Sequence, residues 1–435
     1  SDAWGVAGVQ DGSGKTPTVE SLGVLPNNKE VLLAKFQIPG GLDLDKPQYN
    51  IGKFLTEANY PYGRIIQAYG TDFSMVLAKR SPFPTSVMAD WNAAKKCDRR
   101  KFPIGVDDLG NPVYWDTKTT PHLLITGKSG SGKSSASQIV IAEALLKGED
   151  IILIDPSKGC IDFTQWAKPK ALAFVGLYQL RETEAVISWA REEMAERVRI
   201  NNKYGVGNIF ELDPDDVEEA DRSHLKPLNI LFDEFNSYLQ ETGKTTQNPQ
   251  KDMQIANDNA AVSATNASIA RTMSALSKII VQGRTAGIRC IFGAQRLTMD
   301  DMKKYNGNAF FRSLGRVLLG MDSPAGVVSA QNLSEANRTQ KSLKNEDGLI
   351  PVGRGIYESM QGTLMAVQTW YSGGQDELAR LVADIPNPEP IDYQQYMPRA
   401  AEQFTKLDVE DIREIFTSNN GSENVEDEDV EEEEW

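Results

Sequence analysis

Eight consecutive residues carry the clearest chemistry in this chain: Gly127-Lys128-Ser129-Gly130-Ser131-Gly132-Lys133-Ser134, which fit the pattern G-x4-G-K-[ST]. The glycines allow a tight loop whose backbone N–H groups face phosphate oxygens at a helix N-terminus. Gly127, Ser129, Gly130, Ser131, Gly132, Lys133, Ser134 and Ser135 are the expected nucleotide contacts. Lys133 reaches the β- and γ-phosphates, and the Ser134 hydroxyl holds Mg²⁺. ATP with Mg²⁺ is the ligand that this loop implies. About a hundred residues on, the apolar run Leu228-Asn229-Ile230-Leu231-Phe232 ends in Asp233-Glu234. There Asp233 would position Mg²⁺ through its water shell, and Glu234 would polarise an attacking water. The glutamate favours hydrolysis over transfer to an acceptor. A third strand signal, Ile291-Phe292-Gly293-Ala294, ends in Gln295-Arg296. Gln295 is placed to touch both a γ-phosphate and the water, and so to sense intact ATP.

These groups need a scaffold that brings three strand ends together. Between residues 121 and 384 strand-like and helix-like stretches alternate, the sign of a parallel sheet covered on both faces. Strands are expected at 123–126, 151–154, 173–175, 229–232, 290–294 and 315–319, with a helix from the loop through Ile139, Val140, Ala142 and Leu145. Ahead of it, "VLLAKFQI", "GRIIQAYG" and "FSMVLAKR" alternate with the helical "YNIGKFLTEA" and predict a small α+β module. The resulting division is a flexible or loosely packed leader at 1–28 and the module with a basic linker at 29–100. A sheet domain at 101–386, a helical segment at 387–419 and a disordered acidic tail at 420–435 follow.

The chain has 435 residues, a hydrophobic share of 40% and a charged share of 25%, values of a soluble globular protein. No run approaches the roughly 18 apolar residues of a membrane span. Three scattered cysteines, Cys97, Cys160 and Cys290, suit reduced thiols in a cytoplasm. Two histidines, His122 and His224, without paired cysteines argue against a zinc site, and His122 precedes a core strand in a structural position. The net charge of −15 speaks against nucleic acid at first, yet nine of the carboxylates crowd into residues 423–434 and seven more into 211–221. Five basic residues lie between Lys95 and Lys101, as a solvated linker or a phosphate-facing patch. Net charge therefore leaves the partner open, because a ring can be acidic outside and basic within.

Several stretches together resemble the FtsK/SpoIIIE family of hexameric double-stranded DNA translocases, within the FtsK–HerA group. They are "PIGVDDLGNPVYWDTKTTPHLLITGKSGSGKS", "ILIDPSKGCIDF", "WAREEMAERVRINNKYGVGNI", "LFDEF", "GRTAGIRCIFGAQRL" and "GNAFFR", spread over residues 102–372. The module's "FQIPGGLDLD" is more like FtsK-related proteins of conjugative plasmids, integrative elements and some phages, which commonly carry membrane helices upstream. In two respects the chain departs from the family. Its Thr-Gln-Arg-Pro appears as Ala294-Gln295-Arg296-Leu297, and the winged-helix module of cell-division translocases finds no room after Pro386.

The resemblance implies an α/β fold with a RecA-like P-loop motor domain, a homo-hexameric ring, and ATP held between subunits. By motif position Arg284 and Arg312, with Arg296 behind them, are the arginines that a neighbour would supply. Pore contacts to double-stranded DNA are expected from Lys303 and Lys304 after the third strand, and from Lys244 and Lys251 in the polar segment 242–268, read as an insertion. The implied function is an ATP-driven DNA translocase serving conjugative transfer, cytoplasmic or membrane-associated through an anchor upstream of Ser1. The rivals are a type VII-like protein-secretion ATPase, a phage or plasmid DNA-partitioning or packaging ATPase, and a scaffold that binds ATP without hydrolysing it. A protein partner is one use for the acidic tail.

Overall fold

A computed structural model describes residues 2–26, 28–43, 45–240, 253–305, 307–320 and 323–398. Lys244, Lys251, most of the segment at 387–419 and the tail at 420–435 lie outside these residues.

The N-terminal module is built from α1 (Asp2–Val6), β1 (Thr18–Leu25), β2 (Asn28–Gln37), α2 (Asp45–Glu57), β3 (Tyr62–Tyr69) and β4 (Asp72–Ala78). Its four strands form an antiparallel sheet in the order β1-β2-β4-β3. Residues 1–28, expected as a loose leader, instead supply β1 and a core anchor. Trp4 is fully buried, stacked on Phe54 at 4.0 Å and edge-on to Phe36 and Phe73. One buried indole packed against three aromatic rings anchors a stretch otherwise rich in glycine and serine.

A connector with β5 (Val87–Met88) and α3 (Trp91–Lys96) leads to the hairpin β6 (Lys101–Val106) and β7 (Pro112–Asp116). Arg100 of the basic linker lies over the Phe210 ring at 4.2 Å, so part of that charge covers an aromatic face. The sheet domain continues with β8 (His122–Gly127), α4 (Lys133–Leu146), β9 (Asp150–Ile154), β10 (Ala173–Val175), α5 (Leu180–Tyr204) and the short α6 (Glu219–Arg222). Next come β11 (Leu228–Phe232), α7 (Phe235–Tyr238), α8 (Met253–Gln282), β12 (Ile288–Ala294), α9 (Gly307–Arg312) and β13 (Leu314–Leu319). The domain closes with α10 (Leu333–Ser342), β14 (Arg354–Glu358), β15 (Leu364–Tyr371) and α11 (Gln375–Leu381).

All of these strands join one sheet in the order β10-β9-β11-β12-β8-β13-β14-β15-β6-β7, with β5 beside β15. From β10 to β13 the pairs are parallel, and every residue of β8, β11, β12 and β13 is buried. That is why these segments read as mainly apolar runs. One face carries the Phe232, Phe235, Phe292 and Phe310 cluster under α5 and α8, and the other packs Ile141, Val140 and Trp166.

Two sequence expectations change. The segment 242–268 is not an insertion throughout, since α8 begins at Met253. Its small residues Ala256, Ala260, Ala264 and Ala267 recur at helical spacing without a bulky stripe. Ser268 and Arg271 then clamp Glu184 of α5 at 2.6 and 2.5 Å. The expected helical segment at 387–419 runs, over its described part, extended to a single 3-10 turn, Gln394–Tyr396. Among the described residues no helix is long and apolar enough to cross a membrane.

His122 is fully buried, and its imidazole extends the sheet ladder. Nδ1 accepts the Cys290 N–H at 3.0 Å and Nε2 lies 3.0 Å from the Ile280 carbonyl, which fixes a neutral Nε2–H tautomer. Burial pushes its pKa down to about 4, against the bond to Ile280. Unfolded chain takes up a proton below an ordinary value of about 6.5, while the folded chain resists until about pH 4. The stabilisation is therefore complete above pH 6.5 and is lost as pH falls towards 4, by about 3 kcal/mol. His122→Gln should lower the apparent melting temperature at pH 7.5, and its gap to wild type should narrow towards pH 4. A gap that stays constant across that range would contradict the assignment.

Candidate functional site

The loop between β8 and α4 crosses the C-terminal edge of the sheet. Gly130 and Gly132 take left-handed φ values of +77° and +99°, with Gly132 capping α4. A Cβ at Gly127 would meet Ser131 Oγ and the Leu319 carbonyl, and one at Gly132 would stand 2.9 Å from Gly353 N. Gly353 also donates its N–H to the Ser131 carbonyl at 2.8 Å. The loop is thus braced from behind by the residue just before β14, a brace with no signal in the sequence.

Lys133 is the first residue of α4, and its side chain is 10% exposed. Its ammonium donates to Asp233 Oδ1 at 2.8 Å and to Glu234 Oε1 at 3.1 Å. Those carboxylates leave the end of β11, two strands away from β8 with β12 in between. The reach is possible because β12 carries Gly293 at the crossing point, where any Cβ would run into Asp233 Oδ1. Burial works against the Lys133 charge, but the two carboxylates outweigh it and hold its pKa above the ordinary lysine value. Burial likewise works against the Glu234 charge, but Lys158 and Lys133 outweigh it and its pKa falls below the ordinary range. Glu234 has a left-handed backbone, φ +47°, which turns its carboxylate back over the cleft.

The cleft, about 330 Å³, is lined by residues 128–130 and 132–135 of the loop together with Lys158, Glu234, Gln295 and Val352. Its size suits a ligand of nucleotide dimensions. Gln295, the residue after β12, lines this cleft, its backbone N–H donating to Asn236 Oδ1 at 3.1 Å. Ser131 and Gly127 do not line the cleft: Ser131 is 7% exposed and packs behind the loop. Lys158 lies in the family-like stretch Ile152–Phe163, but neither it nor Val352, which belongs to no pattern, has a contact assigned from sequence.

For Mg²⁺ the available donors are the Ser134 hydroxyl and the Asp233 carboxylate, both hard oxygens. Among the described residues no group of three His, Cys, Asp or Glu could form a cage. One hydroxyl and one carboxylate suit an ion that keeps waters and takes its other ligands from phosphate.

The proposed arginines do not join this cleft in the same chain. Arg284 sits in the turn before β12 and Arg312 ends α9 before β13, so both are exposed at the N-terminal edge of strands whose C-terminal edge carries the loop. Arg296 lies at the loop edge and bonds the Ala325 carbonyl at 3.0 Å. Lys303 and Lys304 occupy a 3-10 turn, Lys303–Tyr305, that follows β12 at the same edge, where Lys303 pairs with Asp300 at 2.8 Å.

Comparison with known proteins bears on the family and the fold. Residues 87–299 match the sequence model of the FtsK/SpoIIIE family. DNA translocase FtsK 2 of Neisseria meningitidis serogroup A is 26% identical over 231 residues, 48% of this chain and 20% of that protein. DNA translocase SftA of Bacillus subtilis is 29% identical over 136 residues, 30% and 14% respectively. The chain spans between 14% and 24% of the length of the curated relatives it matches. In fold it is similar to the pCW3 conjugation coupling protein TcpA, with a TM-score of 0.57 and 18% identity over 88% of this chain and 98% of that one. It is also similar to ATPases 2 and 3 of EssC from Geobacillus thermodenitrificans, with a TM-score of 0.50 and 17% identity over 71% and 54%.

The Gly293 gap gives a direct check on the site. Gly293→Ala should cost about 1–3 kcal/mol as an overpacked contact, seen as a lower apparent melting temperature, and should weaken ATP binding by displacing Asp233. Wild-type values of both would show that Asp233 reaches Lys133 by another route.

Proposed function

The chain carries an ATPase domain of the FtsK/SpoIIIE family, and from that premise we propose that it hydrolyses ATP to move double-stranded DNA. The observation that carries this reading is the convergence of Lys133, Asp233, Glu234 and Gln295 on one cleft at the C-terminal edge of the sheet. The triphosphate would lie on the loop N–H groups and the start of α4, where the helix dipole favours anions. Lys133 would leave the carboxylates for the β- and γ-phosphates. Ser134 and Asp233 would hold Mg²⁺, which neutralises charge on the phosphates. Glu234 would orient a water and take its proton as the water oxygen bonds to the γ-phosphorus. The bond to the bridging oxygen breaks, and ADP leaves with that electron pair. Gln295 would bridge water and γ-phosphate.

The ring reading rests on the arginines. Arg284 and Arg312 are exposed and remote from their own cleft, so a head-to-tail ring is the arrangement that gives them a nucleotide to serve. In other NTPases an arginine supplied in trans raises the rate by about 10³–10⁵. The turn with Lys303 and Lys304 leaves the sheet beside the cleft, which suits a pore loop whose grip on phosphates changes with the nucleotide. Conjugative transfer is the favoured setting because the likeness of fold to a conjugation coupling protein spans the N-terminal module as well as the ATPase domain. A cytoplasmic motor held at a membrane by a partner, or by an anchor upstream of Ser1, fits that setting.

ATP hydrolysis measured without DNA, with single strands and with duplex tests the proposal. Duplex alone should stimulate strongly, and Glu234→Gln should cut the stimulated rate by about 10²–10⁴, the scale of a lost general base. Indifference to both nucleic acids would redirect the reading to a protein substrate. The Lys303→Ala, Lys304→Ala double variant should keep nucleotide affinity while losing duplex stimulation. It should also flatten the salt dependence of DNA binding by about one unit of slope per lysine, and an unchanged slope would remove the turn from the DNA path.

A further inference from the structure

Besides Lys128 and Lys133 of the phosphate loop, the cleft holds a third lysine, to which the sequence reading assigns no contact. Lys158 stands on the loop after β9, and the mount beneath it is Asp155, a residue 2% exposed. Asp155 Oδ1 accepts the N–H of Ser157 at 3.0 Å and of Lys158 at 2.8 Å, while Oδ2 accepts that of Cys160 at 2.9 Å. Gly159 donates its N–H to the Asp155 carbonyl at 2.8 Å. Four bonds to one residue make a rigid base. What it carries is a flexible side chain, 56% exposed, whose ammonium stands 2.7 Å from Glu234 Oε1.

That oxygen already accepts Lys133 at 3.1 Å. Two ammonium groups therefore share one carboxylate oxygen, and Glu234 Oε2 is buried without a hydrogen-bond partner among the described residues. An oxygen that already accepts two ammonium groups has no room left to take a hydrogen bond from a water. Hydrolysis needs the clamp released, and a triphosphate supplies the competitor. Its terminal group brings several charged oxygens to a cleft that Lys158 itself lines. A primary ammonium on a four-carbon stem can change partners without moving its backbone.

We propose that Lys158 is a second phosphate-directed cation, which holds the Glu234 carboxylate in the arrangement seen here and exchanges it for the terminal phosphate of a bound nucleoside triphosphate. The exchange frees Glu234 for water only when that phosphate is present. A diphosphate offers Lys158 no such group, so the lysine stays on Glu234. The cleft thereby tells ATP from ADP with a residue of its own chain, before any neighbour contributes an arginine. This inference rests on the nucleotide reading above and adds to it the residue that reports the terminal phosphate.

Equilibrium binding of ATPγS and of ADP to the full chain, with Mg²⁺, separates the possibilities. Lys158→Ala and Lys158→Gln should each weaken ATPγS binding about tenfold or more, the scale of one charge-assisted hydrogen bond. ADP affinity should stay within about twofold, and Lys158→Arg should recover most of the ATPγS affinity. Equal losses for both nucleotides would mean that Lys158 only supports the loop. Unchanged affinity for both would mean that it never leaves Glu234. Either result overturns the inference while nucleotide binding stands. Lys133→Ala is the separate control. If wild type binds neither nucleotide, or if Lys133→Ala loses affinity for neither, the nucleotide reading fails and this inference fails with it.

Discussion

The Lys133 ammonium is the charge around which the domain is arranged. A lysine so nearly buried costs several kcal/mol unless its partners are close and well directed. Here the partners follow a strand about a hundred residues away in sequence. For them to meet, β8 and β11 must lie on either side of one strand, their C-terminal ends level. The parallel register of β11 with β12 and of β12 with β8 provides this. The strand between must also lack a side chain where the carboxylate passes, which accounts for Gly293. Lys133, Asp233, Glu234 and Gly293 are one constraint expressed at four positions. Any one of them without the others leaves a buried charge or a clash.

A second constraint acts behind the loop. Gly353 holds the Ser131 carbonyl, and its neighbour Arg354 is buried among neutral acceptors: Gln368 Oε1, Ser81 Oγ, Asn345 Oδ1 and the carbonyls of Leu343 and Pro84. Burial lowers the guanidinium pKa to about 10, which leaves it charged at neutral pH. Its fork needs several acceptors at fixed angles, and they come from the connector, the loop before β14 and β15. The segment leaving the N-terminal module and the back of the phosphate loop therefore share one cation. The module is tied in further by Arg64 to Asp108 at 2.7 Å and by the Tyr62 hydroxyl to the Lys344 carbonyl at 3.0 Å. Any shift of the loop before β14 acts on both at once.

Local chemistry was legible in the sequence and long-range closure was not. The six parallel strands could be read because each keeps an apolar run of at least two residues, with Asn229, Arg289 and Arg316 set at or near their starts. The phosphate loop and the carboxylate pair could be read because their spacing is set within one turn or one strand end. β14 and β15 escaped notice, since Arg354, Glu358 and Gln368 interrupt their apolar pattern and find their partners only in the folded domain. Trp4 was lost in a polar stretch because a single aromatic has no periodicity. The N-terminal part of α8 was hidden by alanine, serine and asparagine, which give a helix without an apolar stripe. The roles of Lys158 and Gly353 depend on what stands opposite them, and no local pattern encodes that.

The strain at Glu234 joins these observations. A left-handed backbone at a residue with a Cβ costs on the order of 1–2 kcal/mol, and it persists only where the surroundings over-determine it. The surroundings here are the Glu234 N–H on Asp233 Oδ1 at 2.9 Å, its carbonyl on the Ser237 N–H at 2.9 Å, and two lysines on its carboxylate. The backbone bonds belong to the β11–α7 turn and stay in place whatever occupies the cleft, whereas the lysine bonds compete with phosphate. A ligand shifts such a balance only by as much as it binds one arrangement better than the other. In the proposed exchange a triphosphate would engage both lysines and a diphosphate would not, so the difference between them would fall on Glu234. Fixed strain in the backbone and exchangeable charge on the side chain would let such a site stay poised until the terminal phosphate arrives.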